Sequence, residues 1–249
     1  MAMGGAFVAV ADDVSTVYWN PAGVSLLEPA RAGFTVTLNN RYSYNYDAFA
    51  AVAGRVSDTW GVGVSWVLST LGAGGSLVAR DDWAVVSIGG EVGGGLSAGG
   101  NFRLERHGIE GGSGLIAPSL GVKVDIGVLY QYRPWLSLGL LVQDFSAGPD
   151  AITNIRPGLA VRPNDTTVIA LDAYDLAETG NRVTGRFGVE KWVTDGLAIR
   201  AGYYGFRLFD TPGAVTGGLG LKVGRVSLDY AFLGGRLGNT HQLGLEVAF

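Results

Sequence analysis

The chain has 249 residues, of which 16% are charged, and its formal net charge is −4. This small acidic charge excludes a general nucleic-acid partner, which requires a basic surface. The chain has no cysteine and only two histidines, which excludes disulfides and thiolate metal sites and leaves little for a histidine-rich one. We therefore expect no cofactor and no metal.

The first predicted element is the segment 4–23, GGAFVAVADDVSTVYWNPAG. It does not have the pattern of a signal peptide, because it lacks a basic start and because Asp12 and Asp13 interrupt its apolar run. The acidic pair and the following Ser15 and Thr16 are suited to begin a helix, since their side-chain oxygens can accept hydrogen bonds from free backbone N–H groups.

From residue 31 onward, apolar and polar residues alternate, which indicates strands with one apolar face. In 119–132 the alternating run is about twice the length of an ordinary globular strand. The window 60–79 carries no charge, but its period of two excludes a transmembrane helix. We predict about fourteen strands: 31–39, 47–56, 60–69, 82–92, 95–106, 119–132, 134–144, 153–162, 166–175, 182–192, 196–206, 214–223, 225–232 and 240–249.

The connections between these strands favour a closed membrane barrel. Every second connection is tight, such as 57–59 and 163–165, whereas the others are mostly longer, with the longest at 70–81 and 107–117. Short turns at one end and longer loops at the other are typical of transmembrane barrels, and an even strand number places both termini at one end, here expected to be the periplasmic end. Aromatic residues cluster near strand ends, as in interfacial girdles: Tyr42, Tyr44, Tyr46, Trp60, Tyr132, Trp135, Trp192, Tyr203 and Phe249.

The predicted fold is therefore all-β, an antiparallel up-and-down transmembrane β-barrel of about fourteen strands. A soluble barrel also alternates, but its polar face would be rich in Lys, Glu and Thr, whereas this one is rich in Gly and Ser. In a membrane barrel the polar face lines the lumen. The predicted lumen-lining charges are Arg103, Glu105, Lys123, Asp125, Arg156, Arg186, Glu190, Arg200, Lys222, Asp229 and Glu246. Their mixed signs favour pairing that holds a plug over a permeation pathway.

Both ends of the chain resemble outer-membrane proteins. Phe249 is a terminal aromatic on the apolar face and is similar to the insertion signal of Gram-negative barrels. The opening segment resembles that of FadL-type fatty-acid channels and PorV/PorQ-type barrels, and its run GGAFVAVADD is closer to the PorV side. The resemblance is carried by Asp12, Asp13, Ser15, Thr16, Asn20, Pro21, Ala22 and Gly23. It implies that residues 1–30 form a hatch or plug inside a barrel of residues 31–249.

The resemblance implies two alternative functions in a bacterial outer membrane. The first is a docking or anchor component of a larger envelope machine for secretion or surface motility, with other envelope proteins as partners. It is favoured because the loops 107–117 and 145–152 offer little apolar material to capture a ligand. The second is a FadL-like passive channel for small hydrophobic molecules. Pro157 removes a ladder hydrogen bond from its strand, which marks either a gap in the wall for such molecules or a bulge.

An enzymatic barrel would need a serine beside a histidine on its lipid-facing wall. His241 has lipid-facing parity, but Ser227 has lumen parity, as do Thr35 and Thr37. Without a nucleophile beside the base, this wall lacks the pair of residues that acyl transfer requires. We therefore expect no enzymatic activity, and outer-membrane lipid as the neighbour of the wall.

Overall fold

The computed structural model describes residues 1–39, 45–74, 77–111, 114–145, 153–176, 183–206, 213–235 and 238–249. Within them, antiparallel strands close into a barrel in sequence order, because β1 pairs with both β2 and β14. This confirms the predicted fold class. The strands are β1 (Arg31–Asn39), β2 (Asn45–Arg55), β3 (Trp60–Gly74), β4 (Leu77–Gly93), β5 (Leu96–Gly111), β6 (Gly114–Arg133), β7 (Leu136–Gln143), β8 (Asn154–Asn164), β9 (Thr167–Tyr174), β10 (Thr184–Thr194), β11 (Leu197–Phe206), β12 (Ala214–Val223), β13 (Val226–Gly235) and β14 (Gly238–Ala248).

The two ends of the barrel differ in their connections. Arg31 pairs with Ala248 at one end, which we call the turn end because tight turns join the strands there. Gly94 and Gly224 occupy two of these turns with φ of 61° and 59°, a backbone conformation that glycine adopts without strain. At the opposite end, the loop end, most connections lie outside the described residues, as do the predicted girdle residues Tyr42 and Tyr44.

Four strands extend further toward the loop end than the sequence predicts. β3, β4, β5 and β6 contain 15, 17, 16 and 20 residues. Most of 70–81 and 107–117 is therefore strand, and the prediction of long loops there was wrong. The physical reason is that charged residues interrupt the apolar face of this extension, which hides the period of two. On its outer face, the Asp82 carboxylate bonds Arg106 at 2.6 Å and Arg80 at 3.0 Å.

From Asp82 toward the turn end, the outer face of the wall is apolar around the barrel. Val86 of β4, Phe102 of β5 and Leu243 of β14 are each more than half exposed on this face, with neighbours of the same kind on the adjacent strands. A band of this composition is what a lipid-facing wall requires. Among the described residues, no helix is both long and apolar enough to cross a membrane.

The segment before β1, residues 1–30, contacts the inner wall through its buried residues between Ala2 and Ser25, and we call it the plug. It contains helix α1 (Thr16–Trp19) and a 3₁₀ helix (Pro21–Leu26). Helix α1 begins where the sequence predicts, but the Ser15 side chain does not cap it. Instead, Asp13 Oδ1 accepts a hydrogen bond from the Ser15 backbone N–H at 2.7 Å. Three apolar clusters of the described residues join the plug to the wall, around Val10 and Ala160, around Val17 and Ala53, and around Ala22 and Leu129.

Candidate functional site: the plug, the lumen and their charges

Inward-facing polar side chains hold the backbone of the plug where it has no regular structure. Asp172 Oδ2 accepts hydrogen bonds from the backbone N–H groups of Phe7 at 2.7 Å and Val8 at 3.0 Å. The Thr216 hydroxyl accepts from the Gly4 N–H at 2.9 Å and donates to the Ala2 carbonyl at 2.8 Å. Free backbone groups are costly to bury, so each of these contacts stabilises the seated plug.

The second half of the plug is attached in the same way. The Asn20 amide donates to the carbonyl of Val8 within the plug at 2.9 Å and to the carbonyl of Val128 in β6 at 3.0 Å. Asn101 of β5 donates to the Val17 carbonyl at 3.0 Å. The two asparagines are fully or almost fully buried. They therefore anchor the turn between helix α1 and the 3₁₀ helix to the wall.

Glycines on the inner wall let the plug backbone approach closely. A Cβ atom added to Gly89 would lie 2.5 Å from the Pro21 carbonyl oxygen, and one at Gly139 would lie 2.4 Å from the Val8 oxygen. At Gly127 the added atom would meet Asn20 Oδ1 at 2.2 Å. No side chain fits at these positions, so this part of the wall is shaped to the plug.

A buried ionic cluster lies in the lumen toward the loop end. Arg103, which is 3% exposed, contacts Glu105 at 2.7 Å and Asp125 at 3.6 Å. Lys123 contacts Glu105 at 3.1 Å and Asp144 at 3.5 Å, so its partners are not the Asp125 two positions along its own strand. Buried charges are tolerated only when they are paired in this way.

A second pair of arginines lies beside the attachment point of the plug. The guanidinium of Arg156 stacks 3.7 Å from the centre of the Tyr174 ring, and that of Arg186 lies 3.9 Å from the same centre. Arg186 Nη1 also donates to the Gly5 carbonyl at 3.4 Å. Both guanidinium groups lie close enough to the Asp172 carboxylate to interact with its charge.

The remaining predicted charges border the open part of the lumen. Arg200 bonds Glu190 at 2.6 Å and also pairs with Asp229. Glu246 accepts from Arg31 at 2.7 Å and from the backbone N–H of Val14 in the plug at 2.8 Å. These contacts join β10, β11 and β13 along the wall, and they join β14 to β1 and to the plug.

A lumen cavity of about 590 Å³ lies beside the plug. On the plug it is lined by Phe7, Tyr18 and Trp19, and on the wall it is lined by Trp83 among others. Tyr18 stacks on Trp83 with ring centres 6.4 Å apart and meets Trp19 edge-on at 5.1 Å, while Phe7 lies 6.2 Å from Trp19. We call these four rings the aromatic patch. Arg103 lies 4.9 Å from the centre of the Trp83 ring, which fixes one edge of the patch.

Asp12 and Asp13 face the same cavity from the plug. The Asp12 side chain is 53% accessible to the lumen, with Arg162 at 3.8 Å. Desolvation inside the barrel, and then the charges of Asp13 and Glu190, raise the pKa of Asp12 to about 7. Burial also raises the pKa of Asp13, against the hydrogen bond from Ser15.

The other predicted residues occupy a range of environments. Lys222 lines the cavity, whereas Pro21, Ala22 and Gly23 are buried in the plug. Phe249 is 59% exposed, and its backbone N–H bonds the Ala30 carbonyl at 2.9 Å. Whether Phe249 acts as an insertion signal stays a prediction, as does the role of the plug as a hatch.

Pro157 lies in β8 opposite Leu140 of β7. On the other side, the paired register with β9 begins one residue later, at Gly158 and Asp172. The wall therefore lacks a ladder contact on this side of Pro157, directly outside the Asp172 attachment point. Whether this interruption is a route through the wall stays a prediction.

Several residues of the site were missed by sequence reasoning. Asp172, Thr216, Asn101 and Arg162 all have lumen parity in their strands, so the alternation placed them correctly without marking them. A charged residue between the apolar Leu171 and Ala173 was the one available signal for Asp172. In the part of the chain that the structure describes, no three His, Asp or Glu side chains come together to hold a metal ion.

No protein-family model and no curated protein matches the chain. Solved structures nevertheless match it along its whole length, and their class is that of FadL-type transporters and channels. The toluene transporter TbuX of Ralstonia pickettii has a TM-score of 0.73 at 13% identity, with 100% of this chain and 97% of TbuX covered.

Two further structures give the same result. The monoaromatic hydrocarbon channel CymD has a TM-score of 0.70 at 14% identity, with coverage of 100% and 98% of the two chains. A FadL homologue of Pseudomonas aeruginosa has a TM-score of 0.68 at 13% identity, with coverage of 99% and 96%. The chain thus shares the FadL-type barrel fold, whereas its placement in the PorV subgroup stays a prediction.

Proposed function

We propose that this barrel is a passive channel for small hydrophobic molecules in a bacterial outer membrane, with its termini periplasmic or luminal. The observation that carries the proposal is the aromatic patch of Phe7, Tyr18, Trp19 and Trp83 at the edge of the lumen cavity. Ligand pockets combine apolar and aromatic walls with a few polar groups, and this cavity does so in a lumen that is otherwise polar.

The structural comparisons support this proposal better than the docking role. TbuX and CymD are described as a toluene transporter and a monoaromatic hydrocarbon channel, and the chain matches their barrels end to end. The docking role was favoured because the predicted loops 107–117 and 145–152 offered little apolar material to capture a ligand. Most of 107–117 belongs to β5 and β6, so this region is wall rather than a capture loop, and 146–152 lies outside the described residues.

The proposal also gives a physical role to each part of the site. The patch offers ring faces on which an apolar molecule can stack, at about 1 kcal/mol for each ring contact. The charges around it are paired with one another, so they need not be desolvated anew when an uncharged molecule enters. A passive channel of this kind requires no catalytic group, and we propose that the protein is not an enzyme.

The test is uptake of radiolabelled toluene by Gram-negative cells that express the chain in their outer membrane. Trp83→Ala removes one ring of the patch and should slow uptake by roughly fivefold, which corresponds to about 1 kcal/mol. Trp135→Ala is the matched control, because Trp135 is 52% exposed beside a turn at the turn end and far from the cavity lining. Equal uptake by cells with and without the barrel would overturn the proposal.

A further inference from the structure

The inner wall has two parts, one that contacts the plug and one that faces the open lumen. Where the plug touches the wall, glycines accommodate its backbone, as at Gly99, where an added Cβ would lie 2.6 Å from the Pro21 carbonyl. At Gly244 of β14 an added Cβ would meet only Thr35 at 3.4 Å and Asp229 at 3.7 Å, which are wall residues at ordinary contact distances. At Gly220 the nearest atoms also belong to wall side chains.

The cavity beside this second part of the wall runs along β1, β2, β12, β13 and β14. At the turn end it is lined by Lys222 and Ser227, which lie one residue from the turn between β12 and β13. Toward the loop end it is lined by Thr37 of β1 and Asp47 of β2. These two residues pair with each other, two positions before the last pair of β1 and β2 at the loop end. One continuous space of about 590 Å³ therefore connects the two levels without passing through the plug.

We propose that the plug stays seated and that the space beside it is a permanent water-filled passage, through which small hydrated cations such as K⁺ cross the barrel. This passage goes beyond the proposed function, because it needs neither a hydrophobic ligand nor a movement of the plug. It also differs from the expectation that the lumen charges serve only to hold the plug.

The seated plug follows from the number and spread of its attachments. Asp172 of β9, Thr216 of β12, Asn101 of β5 and Glu246 of β14 each bind its backbone, from well-separated parts of the wall. Moving the plug would break these bonds together and leave their buried partners unsatisfied.

The preference for cations follows from the charges along the passage. Acidic side chains outnumber basic ones among the described residues that line it. The acids are Asp12, Asp13, Asp47, Glu190, Asp229 and Glu246, and the bases are Arg31, Arg200 and Lys222. Since Arg200 and Arg31 are already paired with acids, the excess charge is negative. A narrow aqueous pathway lined in this way attracts cations and repels anions.

The passage is tested by conductance of the purified barrel in planar lipid bilayers under a KCl gradient. We expect steady conductance with a reversal potential that shows preference for K⁺ over Cl⁻. Gly244→Trp should reduce the conductance by roughly half or more, because the side chain would project into the cavity that Gly244 lines. Gly121→Trp is the matched control, since Gly121 also faces open space, but away from the cavity lining.

A disulfide tests whether the plug remains seated. A Cβ atom on Gly33 would lie 3.8 Å from the Cβ of Val14, which is the mean separation in disulfides. The natural chain has no cysteine, so the double variant Val14→Cys/Gly33→Cys forms one defined bond between plug and wall. Oxidised and reduced forms should conduct equally. The shift in mobility of the unheated barrel on denaturing gels shows that each variant is folded.

Three results would overturn the proposal: no conductance by the folded wild-type barrel, a preference for anions, or conductance lost on oxidation of the double variant and restored by reductant. A barrel that takes up toluene without conducting ions would refute the passage and leave the proposed function intact. A barrel that conducts K⁺ without taking up toluene would refute the proposed function and support the passage.

Discussion

Asp172 is the residue whose loss should loosen the plug most, because it accepts two backbone hydrogen bonds between two arginines. In Asp172→Ala the N–H groups of Phe7 and Val8 lose their acceptor, and Arg156 and Arg186 lose the charge between them. We expect a loss of about 2 to 3 kcal/mol of local stability, or roughly hundredfold faster hydrogen exchange at these two amides.

The control for this change is Asp165→Ala, because Asp165 lies exposed in the turn between β8 and β9. Its exchange pattern should equal that of the wild type at Phe7 and Val8. If Asp172→Ala left both amides as protected as before, the attachment of the plug would have to come from its apolar contacts instead.

Two glycines of β6 allow a second test on one strand and one face. Gly127→Ala places a Cβ atom 2.2 Å from Asn20 Oδ1, whereas Gly121→Ala places one in open space. The first change should cost about 1 to 3 kcal/mol through overpacking and should raise protease sensitivity in the plug, and the second should do neither. Equal behaviour of the two variants would show that the plug does not need this close approach.

Single residues also show what the sequence can and cannot predict. Alternation places Lys123 and Asp125 on the lumen face, and the structure has them there. It does not predict their partners, because Lys123 reaches across to Glu105 and Asp144, and such contacts depend on register and side-chain length. The same holds for Asn20, which binds backbone carbonyls rather than a charged side chain.

At the scale of strands, the bounds could be predicted from the sequence where one face of the strand is apolar along its length. β1 and β12 have the predicted bounds, since one face is apolar from end to end. β4 begins at Leu77 rather than near residue 82, because Arg80 and Asp82 form ion pairs on its outer face above the apolar band. The alternation of apolar and polar residues identifies the parts of strands that face lipid and misses the parts that continue into water.

The interruption of the wall at Pro157 gives a prediction for β8. Pro157→Ala restores an N–H group toward β9 and should extend the paired register past Gly158. If hydrophobic molecules leave through this point, toluene uptake should fall by roughly fivefold, which corresponds to one added ladder bond of about 1 kcal/mol. K⁺ conductance should not change, since Pro157 does not line the cavity. Unchanged uptake would assign Pro157 to a bulge without a transport role.

At the scale of the whole molecule, the closed barrel could be predicted from alternation and turn spacing, whereas the path through it could not. The position of the cavity depends on where the plug leaves the wall uncovered, and this depends on the glycines that contact it. Glycines such as Gly89 and Gly244 look alike in the sequence, although one contacts the plug and the other faces the open lumen. Only the packed structure distinguishes them.

The charge of the passage should depend on pH near neutrality, because Asp12 lies in it with its pKa raised to about 7. The groups that act on Asp12 are Asp13 and Glu190, which raise this pKa, and Arg162 and Arg31, which lower it. Since an acid is protonated below its pKa, the negative charge of Asp12 is present above about pH 7 and is lost as the pH falls through this value.

We therefore expect the preference for K⁺ over Cl⁻ to increase from pH 6 to pH 8, measured as the reversal potential under a fixed KCl gradient. In Asp12→Asn this increase should be much smaller, because the neutral amide does not titrate. Asp195→Asn serves as the control, since Asp195 lies exposed in the turn between β10 and β11 and away from the cavity. A wild-type preference that stays constant across this range would show that Asp12 is not part of the conducting path, and the selectivity would then have to come from the acids of the wall.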